Sequence, residues 1–288
     1  MNYSISNWIY GDEPLQETFE RLKRYGYDGV ELMGEPCLYR VAEIQGLCQE
    51  FGLRVLSIAG IYPWPTEERD LANPAPEIRE RAVKYLRECI DLAVDVGAPL
   101  IIVIPSAVAK TAPVGQFDTE DAWVEAAERE WAYAVESVRK AATYAEQKGM
   151  LLAIEPINRY ETFLVNNVDQ GLRFVAEVGS KAVKLHLDTF HMNIEEKDPA
   201  EAIRKARKLL VNVHIADSNR QAVGYGHTDF EAIMKALKDI DYQGALALEP
   251  LPPVPDPYIA ARLKRYQHLR DLYAEECIVH LRQYEREV

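Results

Sequence analysis

Eight short apolar runs, each followed by a helix-sized gap, organise this 288-residue chain from end to end. They fall at residues 3–8, 29–33, 54–59, 100–104, 151–155, 183–188, 211–215 and 245–249. The runs are nearly continuously apolar rather than alternating, as in parallel strands buried on both faces. The gaps carry amphipathic helices. Ile78, Ala82, Leu86, Cys89, Ala93 and Val96 make one apolar stripe, with Arg79, Lys84 and Arg87 on the other side. Gly97 and Gly149 directly follow two such helices, where a left-handed turn ends the helix and the next strand begins. Eight strand–helix units without a linker predict a single α/β domain over residues 1–288, a (β/α)8 TIM barrel. An open, doubly wound sheet is the competing topology.

Four consecutive runs end in side chains that bind metals: Glu155, Asp188, His214 and Glu249. They are separated by 33, 26 and 35 residues, one strand–helix unit each. Parallel strands in that order aim all four at one mouth of a barrel, where barrel enzymes keep their sites. Carboxylates converging without a cation would repel one another and be forced to protonate. Three carboxylates and one imidazole form a hard, oxygen-rich donor set. It predicts a divalent metal, Mn²⁺ first, with Mg²⁺ and Co²⁺ as alternatives. A structural zinc site would favour cysteine, but Cys37, Cys48, Cys89 and Cys277 are scattered and form no CxxC pair.

Charge and composition exclude other classes. A net charge of −13 argues against a nucleic-acid partner. No apolar run approaches the ~20 residues of a membrane span. The start of the chain lacks the basic and apolar pattern of a secretory leader, so a cytoplasmic protein is expected.

Longer motifs lie around the four strand ends. They are Glu155-Pro156-Ile157-Asn158-Arg159-Tyr160-Glu161, Asp188-Thr189-Phe190-His191-Met192-Asn193-Ile194-Glu195-Glu196, and His214 through Arg220 followed by Gly224-Tyr225-Gly226-His227. This set resembles the D-tagatose 3-epimerase / D-psicose (allulose) 3-epimerase group of ketose 3-epimerases, in the xylose-isomerase-like barrel superfamily. The resemblance covers the last four strands. It implies Glu155, Asp188, His214 and Glu249 as metal ligands, with Glu155 and Glu249 doubling as the acid/base pair. It also implies substrate-binding roles for Glu161, His191 and Arg220, and a small-molecule ketose as substrate. Separately, assembly as a homodimer or homotetramer is expected, with the last helix as the candidate to join subunits. Two features depart from the pattern: a longer connection at residues 105–119, and Glu249-Pro250-Leu251-Pro252-Pro253 where Glu-Ser-Phe is usual.

The implied chemistry needs the residues present. Inverting C3 of a ketose removes a carbon-bound proton beside a carbonyl, through a cis-enediolate. One carboxylate takes the proton from one face, and a second returns one from the other. Two bases on one face would instead favour a 1,2-shift, so an aldose–ketose or keto-inositol isomerase stays open. So does a related enzyme acting on oxidised sugars. An endonuclease IV-like repair enzyme shares the barrel but needs a histidine-rich cluster and a basic face. No glycine-rich phosphate loop follows the last two strands, which favours a free sugar. His186 points the same way as Asp188 by strand alternation, toward the barrel interior. His227 is expected to cap its loop. Trp8, Trp64 and Trp123 are candidate apolar faces for a sugar. Residues 61–76 and 105–119 are expected to wall the pocket, and one long helix over residues 258–285 is expected to close the chain.

Overall fold

The computed structural model describes residues 1–60, 67–256, 259 and 261–288. Trp64 and the start of the connection after residue 60 lie outside the described residues. Eight strands form: β1 (Asn2–Ser6), β2 (Gly29–Met33), β3 (Arg54–Ala59), β4 (Leu100–Val103), β5 (Leu151–Ile154), β6 (Val183–Asp188), β7 (Leu210–Ile215) and β8 (Ala245–Leu248). Every neighbouring pair is parallel, in sequence order. β1 also pairs with β8, with Ile5 opposite Leu248, so the sheet closes and the open-sheet alternative falls. Glu155 and Glu249 sit one residue beyond β5 and β8, so both side chains leave the strands at the same rim.

The outer layer contains α1 (Leu15–Tyr25), α2 (Val41–Phe51), α3 (Pro76–Val96), α4 (Glu120–Lys148), α5 (Val168–Val178), α6 (Thr189–Glu195), α7 (Pro199–Ala206), α8 (Phe230–Asp239) and α9 (His268–Glu287). The stripe read from the sequence is the buried face of α3, where Ala82, Leu86, Cys89 and Ala93 are each at most 1% exposed. Burying one such leucine stabilises the fold by roughly 1.5–3 kcal/mol. Pro76 opens α3 and Gly97, at φ +76°, closes it. The Thr119 hydroxyl accepts from the Ala122 amide at 3.2 Å and starts α4.

The last helix is shorter than the periodicity predicts. It begins at His268, because Leu263 is extended (φ −83°, ψ 128°) and breaks the pattern before a short 3-10 turn. Tyr258, the expected start, lies outside the described residues. Among the described residues no helix is long and apolar enough to cross a membrane.

The connection after β4 is pinned rather than loose. Lys110 Nζ lies 2.7 Å from Asp70 Oδ2 and 2.5 Å from Glu130 Oε2, and both carboxylates are buried. The Ala109 amide donates to the Glu161 carbonyl at 2.8 Å, and the Phe163 amide to the Lys110 carbonyl at 3.1 Å. Lys110 thereby ties the segments after β3, β4 and β5 into one wall. Removing one partner of such a buried group costs about 3–5 kcal/mol.

Candidate active site

His214 stands at the centre of the four strand ends. Its Nδ1 lies 3.2 Å from Glu249 Oε2, 3.7 Å from Glu155 Oε1 and 4.0 Å from Asp188 Oδ2. All four residues are at most 5% exposed. The structure therefore brings together the four side chains singled out from the sequence.

A second layer lies beneath them. Glu31, mid-way along β2, reaches across the barrel to His214 on β7, with Oε1 2.9 Å from His214 Nε2. Ser57 on β3 donates to Glu31 Oε2 at 2.6 Å, and Asn212 on β7 lies 3.3 Å from the same oxygen. His186 packs edge-on against His214, with ring centroids 4.1 Å apart, and its Nε2 is 3.5 Å from Glu155 Oε1. His186 thus lies inside the barrel, as strand alternation requires. Glu31 lies outside the set of strand-end residues that the sequence singles out. Its signal is a lone carboxylate within the apolar run Gly29–Met33, mid-strand rather than at a strand end.

The other three candidates also border the cluster. Buried His191, on α6, places Nε2 3.5 Å from Asp188 Oδ2 and 4.0 Å from Glu155 Oε1. Asn158 links His191 to Glu161: its Nδ2 is 2.8 Å from His191 Nδ1 and donates to Glu161 Oε1 at 2.9 Å. Arg220 reaches Asp188 Oδ2 at 2.5 Å and Glu249 Oε2 at 2.9 Å, so it pairs with two of the carboxylates. Its backbone takes the left-handed conformation at φ +62°, fixed by its amide on the Asp217 carbonyl (2.8 Å) and the Leu251 amide on its own carbonyl (2.7 Å). His227 is exposed, and its amide donates to Ser218 Oγ at 3.0 Å, so it belongs to the loop. Trp123 is exposed on α4, away from the cavity lining, whereas Trp8 lines the cavity.

Burial and neighbouring charge pull these groups apart. Burial pushes Asp188 upward, but Arg220, His191 and His214 outweigh it and hold the carboxyl at about 2. For Glu249 burial prevails over His214 and Arg220, raising it to about 7. Glu155 is buried too, yet His186 and His214 hold it well below the usual range. His214 resists burial because Glu249 and Glu31 face it, and it sits well above a free imidazole.

The donor set fits a divalent cation. His214 Nδ1 is buried without a hydrogen-bond partner and faces three carboxylates, while Glu31 occupies its other ring nitrogen. A proton and a divalent cation compete for such a nitrogen, and the same carboxylates favour both. A cavity of about 360 Å³ opens onto this cluster. Glu155, Glu161, His191, His214, Arg220 and Glu249 line its polar end, and Ile102, Ile104, Val108 and Ile157 its apolar wall. A concave site with a few convergent polar groups suits a small molecule.

Comparison with known proteins places the fold in a family. The family described as "Xylose isomerase-like TIM barrel" matches residues 19–272. A D-psicose 3-epimerase of Ruminiclostridium cellulolyticum is 31% identical over 235 residues, covering 80% of this chain and 76% of the relative. An L-ribulose 3-epimerase of a Methylomonas species is 34% identical over 228 residues, covering 78% of this chain and 74% of the relative. The solved structure of D-psicose 3-epimerase with D-tagatose, from Clostridium cellulolyticum H10, superposes with a TM-score of 0.83 at 26% identity over 99% of both chains. The chain belongs to the ketose 3-epimerase family of xylose isomerase-like TIM barrels.

Proposed function

We propose that this protein is a metal-dependent epimerase that inverts C3 of a free ketose, with Glu155 and Glu249 as its acid/base pair. The observation that carries this reading is the position of those two carboxylates. They leave β5 and β8, three strands apart in an eight-stranded barrel, and line one cavity from different sides. Glu155 faces His186 and His191, whereas Glu249 faces Trp8 and Arg220. Two carboxylates that rise from separate strands into one cavity suit proton removal on one face of C3 and delivery on the other.

Glu155, Asp188, His214 and Glu249 would hold the cation, and the oxygen-rich set favours Mn²⁺ over softer ions. When bound, it supplies positive charge that offsets the oxyanion developing beside C3. The chain's own residues do the rest. Arg220 and His191 orient the oxygens at C1 and C2, Arg220 through a guanidinium able to hold two oxygens at once. Glu161, steadied by Asn158, accepts from a sugar hydroxyl. Ile104, Val108 and Ile157 keep bulk water from the enediolate.

The test is product analysis with fructose, tagatose and ribulose, on chelated protein with Mn²⁺, Mg²⁺ or Co²⁺ added back. The reading expects a C3-inverted ketose from at least one sugar and none from the chelated protein. Formation of an aldose alone would contradict it.

A further inference from the structure

Trp8 follows β1 in the short 3-10 turn Asn7–Tyr10 and lines the cavity. Its Nε1–H donates to Glu249 Oε1 at 2.5 Å. The other oxygen, Oε2, lies 2.9 Å from Arg220 Nη2 and 3.2 Å from His214 Nδ1. The two oxygens of Glu249 thus have different surroundings: Oε2 faces the ligand cluster and Oε1 an indole on the cavity wall. The terminal torsion of a glutamate is otherwise broad and nearly two-fold, so its oxygens interchange readily. Donors on both oxygens stop that exchange.

We propose that Trp8 is a positioning residue for proton transfer, reserving Oε1 of Glu249 for the C3 proton while Oε2 stays with the metal ligands. This rests on the epimerase reading above. In the step, the C3–H bond breaks, the proton goes to Glu249 Oε1, and the electron pair stays on the sugar as the enediolate. Glu155, loaded with a proton from water, gives it to the opposite face of C3; in the reverse reaction Glu155 takes the C3 proton and Glu249 Oε1 returns one, and both carboxyls reset by exchange with water.

Trp8→Phe tests this, because it keeps an aromatic surface and removes only the donor. Parent protein is first shown to epimerise a ketose; if it epimerises none, the epimerase reading fails, and this proposal with it. In the variant, kcat should fall about 10- to 100-fold, the scale of a lost hydrogen bond to a charged group. Metal affinity by calorimetry should stay within about threefold, since Oε2 is untouched. The deciding readout is directional. With the Glu249 step now limiting, a C3-deuterated substrate should show an enlarged primary isotope effect from one epimer only, and the other epimer an enlarged solvent isotope effect. A merely structural role would slow both directions with isotope effects unchanged. That pattern, or kcat within about twofold of parent, overturns the proposal. Trp8→His, which restores a ring N–H, serves as the second variant should the Phe protein not fold. Its isotope effects should match those measured for the parent, and effects enlarged in one direction only there also overturn the proposal.

Discussion

Glu31 Oε1 lies 2.9 Å from His214 Nε2, a contact through the barrel interior from β2 to β7. The contact fixes which ring nitrogen of His214 keeps its proton. With Nε2–H held by Glu31, Nδ1 is the nitrogen that would give up its proton to a cation arriving among Glu155, Asp188 and Glu249. Glu31 is itself steadied by Ser57. Glu31→Gln should therefore lower divalent-metal affinity about 10- to 100-fold, the usual scale for losing a carboxylate behind a ligating histidine. Calorimetric titration with Mn²⁺ measures it. An affinity equal to the parent's would mean that His214 needs no such anchor.

Metal removal should be visible in stability as well as in rate. A cation that binds only the folded state raises stability by about 2.7 kcal/mol at a hundredfold excess over its Kd. It also relieves the repulsion among Glu155, Asp188 and Glu249. Chelation should abolish turnover and lower Tm by several degrees, and added Mn²⁺ should restore both. A melting curve indifferent to saturating Mn²⁺ would count against the ligand assignment.

Asp217 gives a pH dependence outside the metal cluster. It accepts from the amides of Ser218 (2.7 Å), Gly224 (2.8 Å) and Thr228 (3.1 Å), and so shapes the loop that presents Arg220. Burial pushes its pKa up, but these backbone donors outweigh burial and leave it below the usual aspartate value. A carboxyl lowered on folding stabilises the fold above its unfolded pKa, and that contribution is lost as pH falls through the folded value. Asp217→Asn should cost about 1–3 kcal/mol near neutrality, and the gap to the parent should narrow as pH falls below the free aspartate value of about 3.9. Urea unfolding at both pH values checks this. A gap that stays constant with pH would show that the charge is not what holds the loop.

Much of this architecture is legible in the sequence, because it depends on local pattern. Strand and helix periods give all eight strands, and the chemistry at successive strand ends gives Glu155, Asp188, His214 and Glu249. What the pattern misses depends on contacts distant in sequence. Glu31 meets His214 from 183 residues away and Trp8 meets Glu249 from 241, and no periodicity encodes such pairings. Lys110 reads as an ordinary loop cation until Asp70 and Glu130 are folded against it. The start of α9 at His268 is set by the extended backbone at Leu263, which residue type alone does not reveal.

The central claim is that Glu155 and Glu249 act on opposite faces of C3, and turnover in D₂O tests it most directly. A proton taken on one face cannot cross the sugar plane, so the replacement must come from the other carboxyl, which equilibrates with solvent. The account predicts a C3-inverted ketose carrying one solvent deuteron at C3, none at C1, and its carbonyl still at C2. An aldose, or deuterium confined to C1 and C2, would contradict the epimerase mechanism while leaving the metal site intact.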